Sequence, residues 1–394
     1  MNRTKKKILV VNKSFVVGGI QSSMLNLISA LKEDYDVDVC VFNNDGQLKD
    51  RLPEGINIIK TNKLLQLHGM SAGESKKLGL LAYVFRLFLG LFDRIFTNRL
   101  FFGLAMLLQK PLNGYDVAIA YHHEDSPKAV VSGFYRFISK KTDAPIKLGW
   151  IHYDPYFVSY NDLKNEKYME QMTKIVCVSQ GTANIFKKRH PNLKVPIDYC
   201  YNMQNINRIL TLSEEEQTVK FPEDKFVCFS ACRLDKGKGI VRGIEAFRPV
   251  FEKHKDIVWY IAGDGAEREN IIASAAENGF EGRIVLLGNQ KNPYPYMKNS
   301  DLYISLSYHE AAPMVYMEAK TLHVPVFSTR TSSTDEMLKD GVEDFICDNT
   351  DEAIREKFAE IMDNREIISR TKANLANYRG NNDAAIMKFA ELVK

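Results

Sequence analysis

The stretch from residue 301 to 327 contains three hydrophobic patterns in succession. Residues 302–307 alternate apolar and small polar side chains, which predicts a strand, and residues 314–322 place apolar side chains at helical spacing. Pro313 suits the first position of that helix, where a missing N–H is harmless, and a short apolar strand over residues 324–327 follows. A loop that leads from a strand into a helix is where open α/β sheets bind ligands. The N-terminus of such a helix favours anions, because N–H groups and the positive end of the helix dipole lie there.

The rest of the chain repeats this alternation of apolar strand and amphipathic helix. In the N-terminal half the pattern predicts a sheet of about seven strands, at residues 7–12, 36–42, 56–60, 116–121, 146–152, 174–179 and 197–202. In the C-terminal half it predicts further strands at residues 225–232, 258–262 and 284–287, and helices at 240–251, 268–278 and 354–363. Residues 366–394 are expected to be helical with a break near Gly380. Strands that alternate with helices form parallel sheets covered on both faces. The chain is therefore expected to be an α/β protein with two doubly wound domains.

Residues 78–110 are unusually rich in leucine and phenylalanine, although Arg86, Asp93, Arg94 and Arg99 interrupt them. No uncharged run there reaches the ~18–20 residues that a membrane-spanning helix requires. Two interpretations stay open. The segment can form core helices packed on the sheet, or it can form an interfacial surface whose arginines extend toward anionic lipid.

Length and composition are those of an ordinary globular protein. A chain of 394 residues suits two domains, and 45% hydrophobic with 26% charged residues is typical of soluble proteins. The six cysteines are scattered, as expected for small buried residues in a reducing compartment. The basic N-terminus is followed by a short apolar run, which is better interpreted as the first strand than as a signal peptide.

The net charge of +4 conceals an asymmetry between the two halves. Residues 1–200 hold 28 Lys and Arg against 18 Asp and Glu, a balance of +10, so residues 201–394 hold the other 25 and 31, a balance of −6. A basic first half indicates an anionic partner, such as a membrane surface or a phosphate-bearing acceptor. Nucleic acid is not expected, because no nucleic-acid-binding motif accompanies the charge.

Three groups of residues carry candidate chemistry. Arg233 and Lys238 follow a predicted strand and stand next to glycines before a helix, which predicts an anion site, although a solvated basic loop is the alternative. Gly18 and Gly19 form a turn after the first strand, where the backbone can approach a ligand. His152 ends a predicted central strand, a position that suits a ligand contact or a structural histidine. No cluster with the spacing of metal ligands is found in the sequence.

Glu310 and Glu318 bracket the start of the helix that follows residue 313, eight positions apart. This acid pair after a strand ending in serine, followed by a helix and a Val-Pro-Val strand, resembles the retaining nucleotide-sugar glycosyltransferases of family 4, which have the GT-B fold. Their usual pattern is Glu-Gly-Phe-Gly-x-x-x-x-Glu-Ala. Here Ala311 and Ala312 replace glycines, a departure that concerns how closely a donor sugar approaches the loop backbone.

The resemblance implies a GT-B architecture of two facing Rossmann-like doubly wound domains. An acceptor-binding domain is expected over residues 1–205 and a nucleotide-sugar-binding domain over residues 206–375. Residues 376–394 are expected to form a helix that crosses back onto the N-terminal domain.

The resemblance also implies a role for each matching residue. Arg233 and Lys238 would hold the donor diphosphate, Glu310 would orient the donor sugar, and His152 would lie near the anomeric carbon; these four are the expected catalytic residues. The expected donor-binding residues are Gly18, Gly19, Asn202, Arg233, Lys238, Gly263, Gly288, Asn289, Ala312, Pro313, Met314, Val315, Tyr316 and Glu318, with Glu318 on the ribose. His122 and Tyr153 are expected on the acceptor side.

The expected reaction moves a hexosyl-type sugar from a nucleoside diphosphate, UDP first, to a hydroxyl of a glycan or lipid-linked glycan, with retained anomeric configuration, in cell-surface polysaccharide synthesis. Neither metal nor cofactor is expected, and the enzyme would be cytoplasmic, with peripheral attachment to the inner face of the cell membrane through residues 78–110 left open. Two alternatives remain: a nucleotide-sugar epimerase of the same fold, and a non-catalytic binding or scaffold protein, which Ala311 and Ala312 would suit.

Overall fold

The computed structural model describes residues 5–124, 129–156 and 166–394. The chain divides into two compact units, and we describe each by itself. Unit 1 comprises Met1–Met203 together with Asn382–Lys394, and unit 2 comprises Gln204–Asn381. The sequence predicts domain boundaries after residues 205 and 375, whereas the two units divide after residues 203 and 381.

Unit 1 alternates strands and helices along the chain. Within the described residues its strands are β1 (Lys7–Ser14), β2 (Asp36–Asn43), β3 (Asn57–Lys60), β4 (Val117–Ala120), β5 (Ile146–Ile151), β6 (Lys174–Cys177) and β7 (Ile197–Tyr199). Its helices before residue 203 are α1 (Gly19–Leu31), α2 (Lys63–Gly69), α3 (Ala72–Ser75), α4 (Leu80–Ile95), α5 (Arg99–Leu108), α6 (Phe134–Lys141), α7 (Glu166–Met169) and α8 (Gln180–Arg189).

The strands of unit 1 form one parallel sheet in the described part of the chain, in the order β3-β2-β1-β4-β5-β6-β7. All four residues of β4 are buried, as expected for a parallel strand that helices cover on both faces. The order reverses direction between β1 and β4, so the chain segments that follow these two strands separate above the sheet. Ligands bind at such a switch point in doubly wound sheets.

Unit 2 has the same alternation. Its elements are α9 (Ile206–Ser213), β8 (Phe226–Ala231), α10 (Ile240–Lys253), β9 (Ile257–Ala262), α11 (Arg268–Glu277), β10 (Ile284–Gly288), α12 (Tyr294–Lys298), β11 (Leu302–Ser305), α13 (Met314–Thr321), β12 (Val326–Thr329), α14 (Thr334–Met337), β13 (Phe345–Cys347), α15 (Asp351–Asp363) and α16 (Glu366–Leu375). The next helix, α17 (Asp383–Leu392), belongs to unit 1.

The sheet of unit 2 is also parallel, in the order β10-β9-β8-β11-β12-β13. One apolar core packs Phe247, Trp259 and Phe358 on one side of it, and a second core contains Phe229, Tyr296 and Tyr316. Because alternate residues of each strand enter different cores, both faces of the sheet are buried. Its switch point lies between β8 and β11.

Two details of the predicted helix after residue 313 differ from expectation. Pro313 does not occupy the first helical position but caps the helix from outside, with an extended ψ of 120°. The strand after this helix begins at Val326 rather than at residue 324, since the turn continues through His323, whose φ is 59°. Both shifts are of one or two residues and leave the strand–loop–helix–strand order as predicted.

The leucine-rich segment forms α4 and α5 in unit 1, joined by a short turn. Phe102 and Ala105 of α5 are buried in the core beside the sheet, whereas most of the large apolar side chains of both helices are exposed. Among the described residues, no helix is both long and apolar enough to cross a membrane.

Candidate functional site

The switch point of unit 2 brings together two loops that are far apart in sequence. The first follows β8 and spans residues 232–239, and the second follows β11 and spans residues 306–313. The N–H of Tyr308 donates to the carbonyl of Gly237 at 2.8 Å. Gly239 has a φ of +65°, and a Cβ there would stand 2.2 Å from the carbonyl oxygen of Leu306. The close approach of the two loops therefore depends on glycine at position 239.

Lys238 and Glu310 form an ion pair across these two loops. The Nζ of Lys238 is 2.5 Å from the Oε1 of Glu310, and the hydroxyl of Ser307 donates to the same oxygen at 2.7 Å. Burial lowers the pKa of Lys238, but the charge of Glu310 and its hydrogen bond outweigh burial, so the pKa is raised. Lys238 is therefore cationic at neutral pH, and its charge lies at the carboxyl ends of the strands β8 and β11.

Arg233 lies on the same loop as Lys238 but extends into solvent. Its side chain is 79% exposed, and its Nε donates to the carboxylate of Asp235 at 2.7 Å. The structure thus places both predicted cations on one loop and pairs each with a carboxylate, Lys238 with Glu310 and Arg233 with Asp235. That Arg233 binds diphosphate stays a prediction.

The loop from Glu310 leads directly into helix α13. Ala311 and Pro313 are buried, Ala312 is half-buried, and the hydroxyl of Ser332 donates to the carbonyl of Glu310 at 2.7 Å, which anchors the loop. Met314, Val315 and Tyr316 form the first turn of α13. The N–H of Tyr316 donates to the carbonyl of Pro313 at 3.3 Å, whereas the N–H groups of Met314 and Val315 precede the regular hydrogen-bond pattern of the helix. This turn is the anion-favouring end of the helix.

Glu318 lies one turn further along α13 and has different surroundings from Glu310. The hydroxyl of Tyr294 donates to the Oε1 of Glu318 at 3.3 Å. Glu310, by contrast, contacts Lys238. The two acids that the sequence pairs by spacing therefore contact different groups: Glu310 contacts an ammonium group and Glu318 a phenol. Their separate predicted roles, on the sugar and on the ribose, are consistent with this arrangement and stay predictions.

Gly263 has a steric function in the loop that follows β9. Its φ is +148°, and a Cβ would stand 1.8 Å from the carbonyl oxygen of Cys232. Its N–H donates to the carbonyl of Gly288 at 2.7 Å, and Gly288 itself has a φ of +68°. The loops after β8, β9 and β10 therefore stack tightly enough to exclude a side chain at position 263. Asn289, which follows, is exposed.

The predicted residues of unit 1 also gather at the switch point of their own sheet. Asn202 accepts a hydrogen bond from the hydroxyl of Ser23 at 2.6 Å, and Ser23 is 2.7 Å from the hydroxyl of Tyr121. Since the single proton of Ser23 goes to Asn202, Tyr121 must donate to Ser23. The ring of Tyr121 lies 4.7 Å from the ring of His152. Asn202 and His152 are thus connected through Ser23 and Tyr121.

His152 is neutral at physiological pH. Burial, together with the nearby His123 and His122, holds its pKa well below the usual value, against a hydrogen bond to the backbone of Tyr121. Its Nε2 has no hydrogen-bond partner among the residues that the structure describes. A buried, unprotonated imidazole nitrogen of this kind can accept a hydrogen bond from a hydroxyl group of a ligand.

The remaining predicted residues surround this cluster. The ring of His122 stacks on Phe134 and lies 4.9 Å from that of His123, and the ring of His123 meets Tyr153 edge-on at 4.8 Å. Gly18 caps helix α1, and Gly19 is its first residue, with nothing within 4 Å of the place where a Cβ would stand. These residues share one end of the sheet of unit 1, as their positions after strands predicted.

Sequence reasoning missed Ser23, Tyr121, Ser307 and Ser332, which position the predicted residues. Tyr121 and Ser307 had a signal, because each is the last residue of a predicted strand, 116–121 and 302–307. In the parts of the chain that the structure describes, no three His, Cys, Asp or Glu side chains form a group able to hold a metal ion.

Part of the chain matches a known protein family, and curated proteins resemble it in sequence. Residues 213–379 match the family described as glycosyl transferases group 1. An uncharacterized glycosyltransferase, MJ1059 of Methanocaldococcus jannaschii, is 28% identical over 44% of this chain and 41% of its own length. The lipopolysaccharide core biosynthesis glycosyltransferase LpsE of Rhizobium meliloti is 26% identical over 44% of this chain and 49% of its own length. The chain thus matches less than half the length of these curated relatives.

Solved structures resemble the chain over nearly its full length. Anabaena Alr3699/HepE in complex with UDP and glucose has a TM-score of 0.67 at 17% identity, covering 98% of both chains. WaaG, a glycosyltransferase involved in lipopolysaccharide biosynthesis, has a TM-score of 0.59 at 13% identity, covering 98% of both chains. Likeness at such low identity shows the fold, and it confirms the predicted α/β class with two doubly wound units.

Proposed function

Since residues 213–379 form a glycosyl transferases group 1 domain in a chain with the GT-B fold, we propose that the protein is a retaining glycosyltransferase. It transfers a hexosyl-type sugar from a UDP-sugar to a hydroxyl of a glycan or lipid-linked glycan. Relatives named for lipopolysaccharide core and capsular polysaccharide biosynthesis support a role in cell-surface polysaccharide synthesis. The complex of HepE with UDP and glucose supports the choice of UDP.

The observation that carries this proposal is the ion pair between Lys238 and Glu310 at the switch point of unit 2. A nucleoside diphosphate needs cations and N–H donors, and a sugar needs acceptors for its hydroxyls. Lys238 supplies the cation, the first turn of α13 supplies N–H donors, and Glu310 supplies the acceptor for sugar hydroxyls. A donor that binds here would place its diphosphate on Lys238 and its sugar hydroxyls on Glu310, so one site meets both requirements.

In the reaction the bond between the anomeric carbon and the diphosphate oxygen breaks, and the diphosphate keeps the electron pair. Lys238, Arg233 and the N–H groups of Met314–Tyr316 stabilise the negative charge that develops on it. These groups perform the function that a metal ion would otherwise have, and on that ground we propose a metal-independent enzyme. The acceptor oxygen bonds to the anomeric carbon, and the proton of its hydroxyl passes to an oxygen of the departing diphosphate.

We assign the acceptor side to unit 1. His152, neutral and with Nε2 available, is suited to contact the sugar near its anomeric carbon, while His122 and Tyr153 contact the acceptor. Asn202, Gly18 and Gly19 are assigned to the donor, as the family resemblance implies. No residue is assigned as a covalent nucleophile.

The test begins with the donor. Purified protein is incubated with UDP-, GDP- and ADP-sugars, and the midpoint of thermal unfolding is measured, because a ligand of the native state raises it. We expect UDP-sugars to raise the midpoint most. Release of UDP is then followed with and without membrane glycolipid extract from a bacterium; transfer of labelled sugar to the extract supports the proposal. Conversion of one UDP-sugar to another would instead indicate an epimerase, and binding without any turnover a scaffold protein.

A further inference from the structure

The most unusual surface of the molecule is formed by α4, α5 and the turn before them. Many large apolar side chains are exposed there, namely Leu78, Leu80, Leu81, Val84, Leu87, Phe88, Leu91, Ile95, Phe96, Leu100, Leu104, Leu107 and Leu108. We call this set the 78–108 apolar surface. Soluble proteins rarely expose contiguous apolar patches of this extent unless another molecule or a membrane covers them.

Helix α4 exposes most of its large apolar side chains, while two of its polar side chains face the protein. Asp93 is fully buried, and the Nε of Arg86 donates to the carbonyl of Met70 at 2.7 Å. Residues 80, 84, 87, 88, 91 and 95 recur at helical spacing and are exposed, so they form one outward stripe. The inward side of α4 is mixed, because Leu89 is buried there as well as Asp93, and the outward stripe is apolar.

The two helices are held together by aromatic rings. The ring of Phe101 on α5 lies 5.7 Å from that of Phe88 and 4.9 Å from that of Phe92 on α4, both in edge-to-face geometry. Such contacts stabilise a pair of helices beyond their buried area. The 78–108 apolar surface therefore has a rigid base of two packed helices.

Cations border this apolar surface, and residues 76–110 contain no exposed acid. Five exposed basic residues belong to the segment, which are Lys76, Lys77, Arg94, Arg99 and Lys110. Asp93 is the sole acidic residue from 76 to 110 in the sequence, and it is buried. A second copy of the chain placed symmetrically on this surface would bring like charges together, which disfavours self-association. An anionic layer with an apolar interior complements both features.

We propose that the 78–108 apolar surface docks on the surface of an anionic lipid bilayer. Leucine and phenylalanine side chains enter the boundary between headgroups and acyl chains, and the surrounding lysines and arginines contact lipid phosphates. The helices lie in the plane of the interface. This proposal does not depend on the chemistry assigned to the protein, because none of its residues belongs to the candidate site.

Vesicle binding tests the proposal on the full chain. Sedimentation is measured with vesicles of phosphatidylcholine and with vesicles in which one quarter of the lipid is phosphatidylglycerol. We expect binding to the anionic vesicles, at least a hundredfold tighter than to phosphatidylcholine alone. The double variant Leu81→Glu/Leu91→Glu is expected to lose binding to both. The matched control Ile272→Glu/Val342→Glu changes the charge equally on exposed apolar residues of unit 2 and should bind within threefold of the unchanged protein.

The cations are tested separately. Lys77→Gln, Arg94→Gln and Arg99→Gln combined should weaken binding to the anionic vesicles by about a hundredfold, since each surface cation contributes about fivefold, and should leave binding to phosphatidylcholine unchanged.

Failure of the unchanged protein to bind anionic vesicles overturns the proposal, whatever the variants do. So does a dimer in sedimentation equilibrium that Leu81→Glu/Leu91→Glu disperses, because a second copy would then cover the surface.

Discussion

The two sheets have the same strand order around their switch points, but the side chains gathered there differ in charge. In unit 2 the loops after β8 and β11 carry two ion pairs, Lys238 with Glu310 and Arg233 with Asp235. In unit 1 the corresponding end of the sheet holds hydroxyl, amide and imidazole groups, joined by hydrogen bonds from Tyr121 through Ser23 to Asn202.

This difference shows what the topology supplies and what the side chains add. A parallel sheet whose strand order reverses leaves an opening at the carboxyl ends of its strands, and both units have one. Formal charge at the opening of unit 2 suits a diphosphate, whereas the neutral cluster of unit 1 suits sugar hydroxyls and can exchange hydrogen bonds without a net charge to desolvate. The following predictions test this division.

Removal of Lys238 should have the largest effect. Lys238→Ala deletes the cation that we place on the leaving diphosphate, so turnover should fall by about 10²–10³-fold, equivalent to about 3–4 kcal/mol of transition-state stabilisation. Transfer of labelled sugar measures it. Lys236→Ala changes an exposed lysine on the same loop and should retain activity within about twofold; an equal loss in both variants would remove Lys238 from the site.

Gly263 should be intolerant of any side chain. In Gly263→Ala the new Cβ meets the carbonyl of Cys232 at a positive φ, so we expect a loss of about 3 kcal/mol in the free energy of unfolding. Chemical denaturation measures it. Gly19→Ala in unit 1, where a Cβ meets nothing within 4 Å, should be neutral or slightly stabilising. Equal stability of the two variants would show that the loops of unit 2 relax around an added methyl group.

Acid should weaken unit 1 through its buried histidines. Burial lowers the pKa of His68 to about 4, with Arg86 and Arg136 adding to the effect against a hydrogen bond to Val130. Below about pH 6.5, His68 is therefore protonated in the unfolded chain but stays neutral in the folded chain. The free energy of unfolding consequently falls as the pH falls from 6.5 toward 4. For His68 alone the loss is about 2 kcal/mol at pH 5.

His68→Gln should flatten this pH dependence. Chemical denaturation of both proteins at pH 7.5 and pH 5 gives the stability that each loses between the two pH values. Comparing these two losses cancels any pH-independent cost of the substitution. If the variant and the unchanged protein lose the same stability between the two pH values, His68 does not control the acid response. Protonation of His152, whose pKa is also lowered, would act in the same direction.

Ser23 should have the smallest effect. Ser23→Ala removes both hydrogen bonds that connect Asn202 with Tyr121, and we expect a loss of about 1–2 kcal/mol in stability with UDP affinity unchanged within about twofold. Calorimetric titration with UDP measures the affinity. Ser22→Ala, on the same helix and less buried, should cost under about 0.5 kcal/mol. A large drop in UDP affinity on Ser23→Ala would show that Asn202, which Ser23 holds, binds the nucleotide part of the donor rather than its sugar, and would contradict the assignment of the diphosphate to unit 2 alone.

Most elements could be predicted from the sequence because buried parallel strands appear as apolar runs and helices as periodic ones. β9 begins at Ile257 and β10 at Ile284, within one residue of expectation. Pro313 was assigned to the first helical position from propensity alone, whereas its ψ of 120° places it just outside the helix. A statistical preference cannot distinguish two adjacent positions when both tolerate a missing N–H.

The site was predictable in its location and less so in its contacts. The sequence predicted different roles for Lys238 and Glu310 but not their ion pair. The two residues are 72 positions apart, and sequence spacing does not predict a contact over such a separation. Likewise, the pattern of residues 78–110 could not decide between core and interface, because the direction of a helix face depends on what it packs against. In the structure most large apolar side chains of α4 and α5 are exposed, while Leu89 and Asp93 of α4 are buried.

Helix α17 returns to unit 1 after the whole of unit 2 has been completed. The Nζ of Lys388 is 2.8 Å from Asp198, the ring of Phe389 meets Tyr35 edge-on at 5.7 Å, and Lys6 contacts the carbonyl of Val393. During synthesis on the ribosome, the residues of unit 1 that α17 contacts therefore stay exposed while about 180 further residues emerge and fold. Unit 2 can mature first although it is made second, and a nascent chain halted before residue 382 would retain an unfinished unit 1 for chaperones to protect.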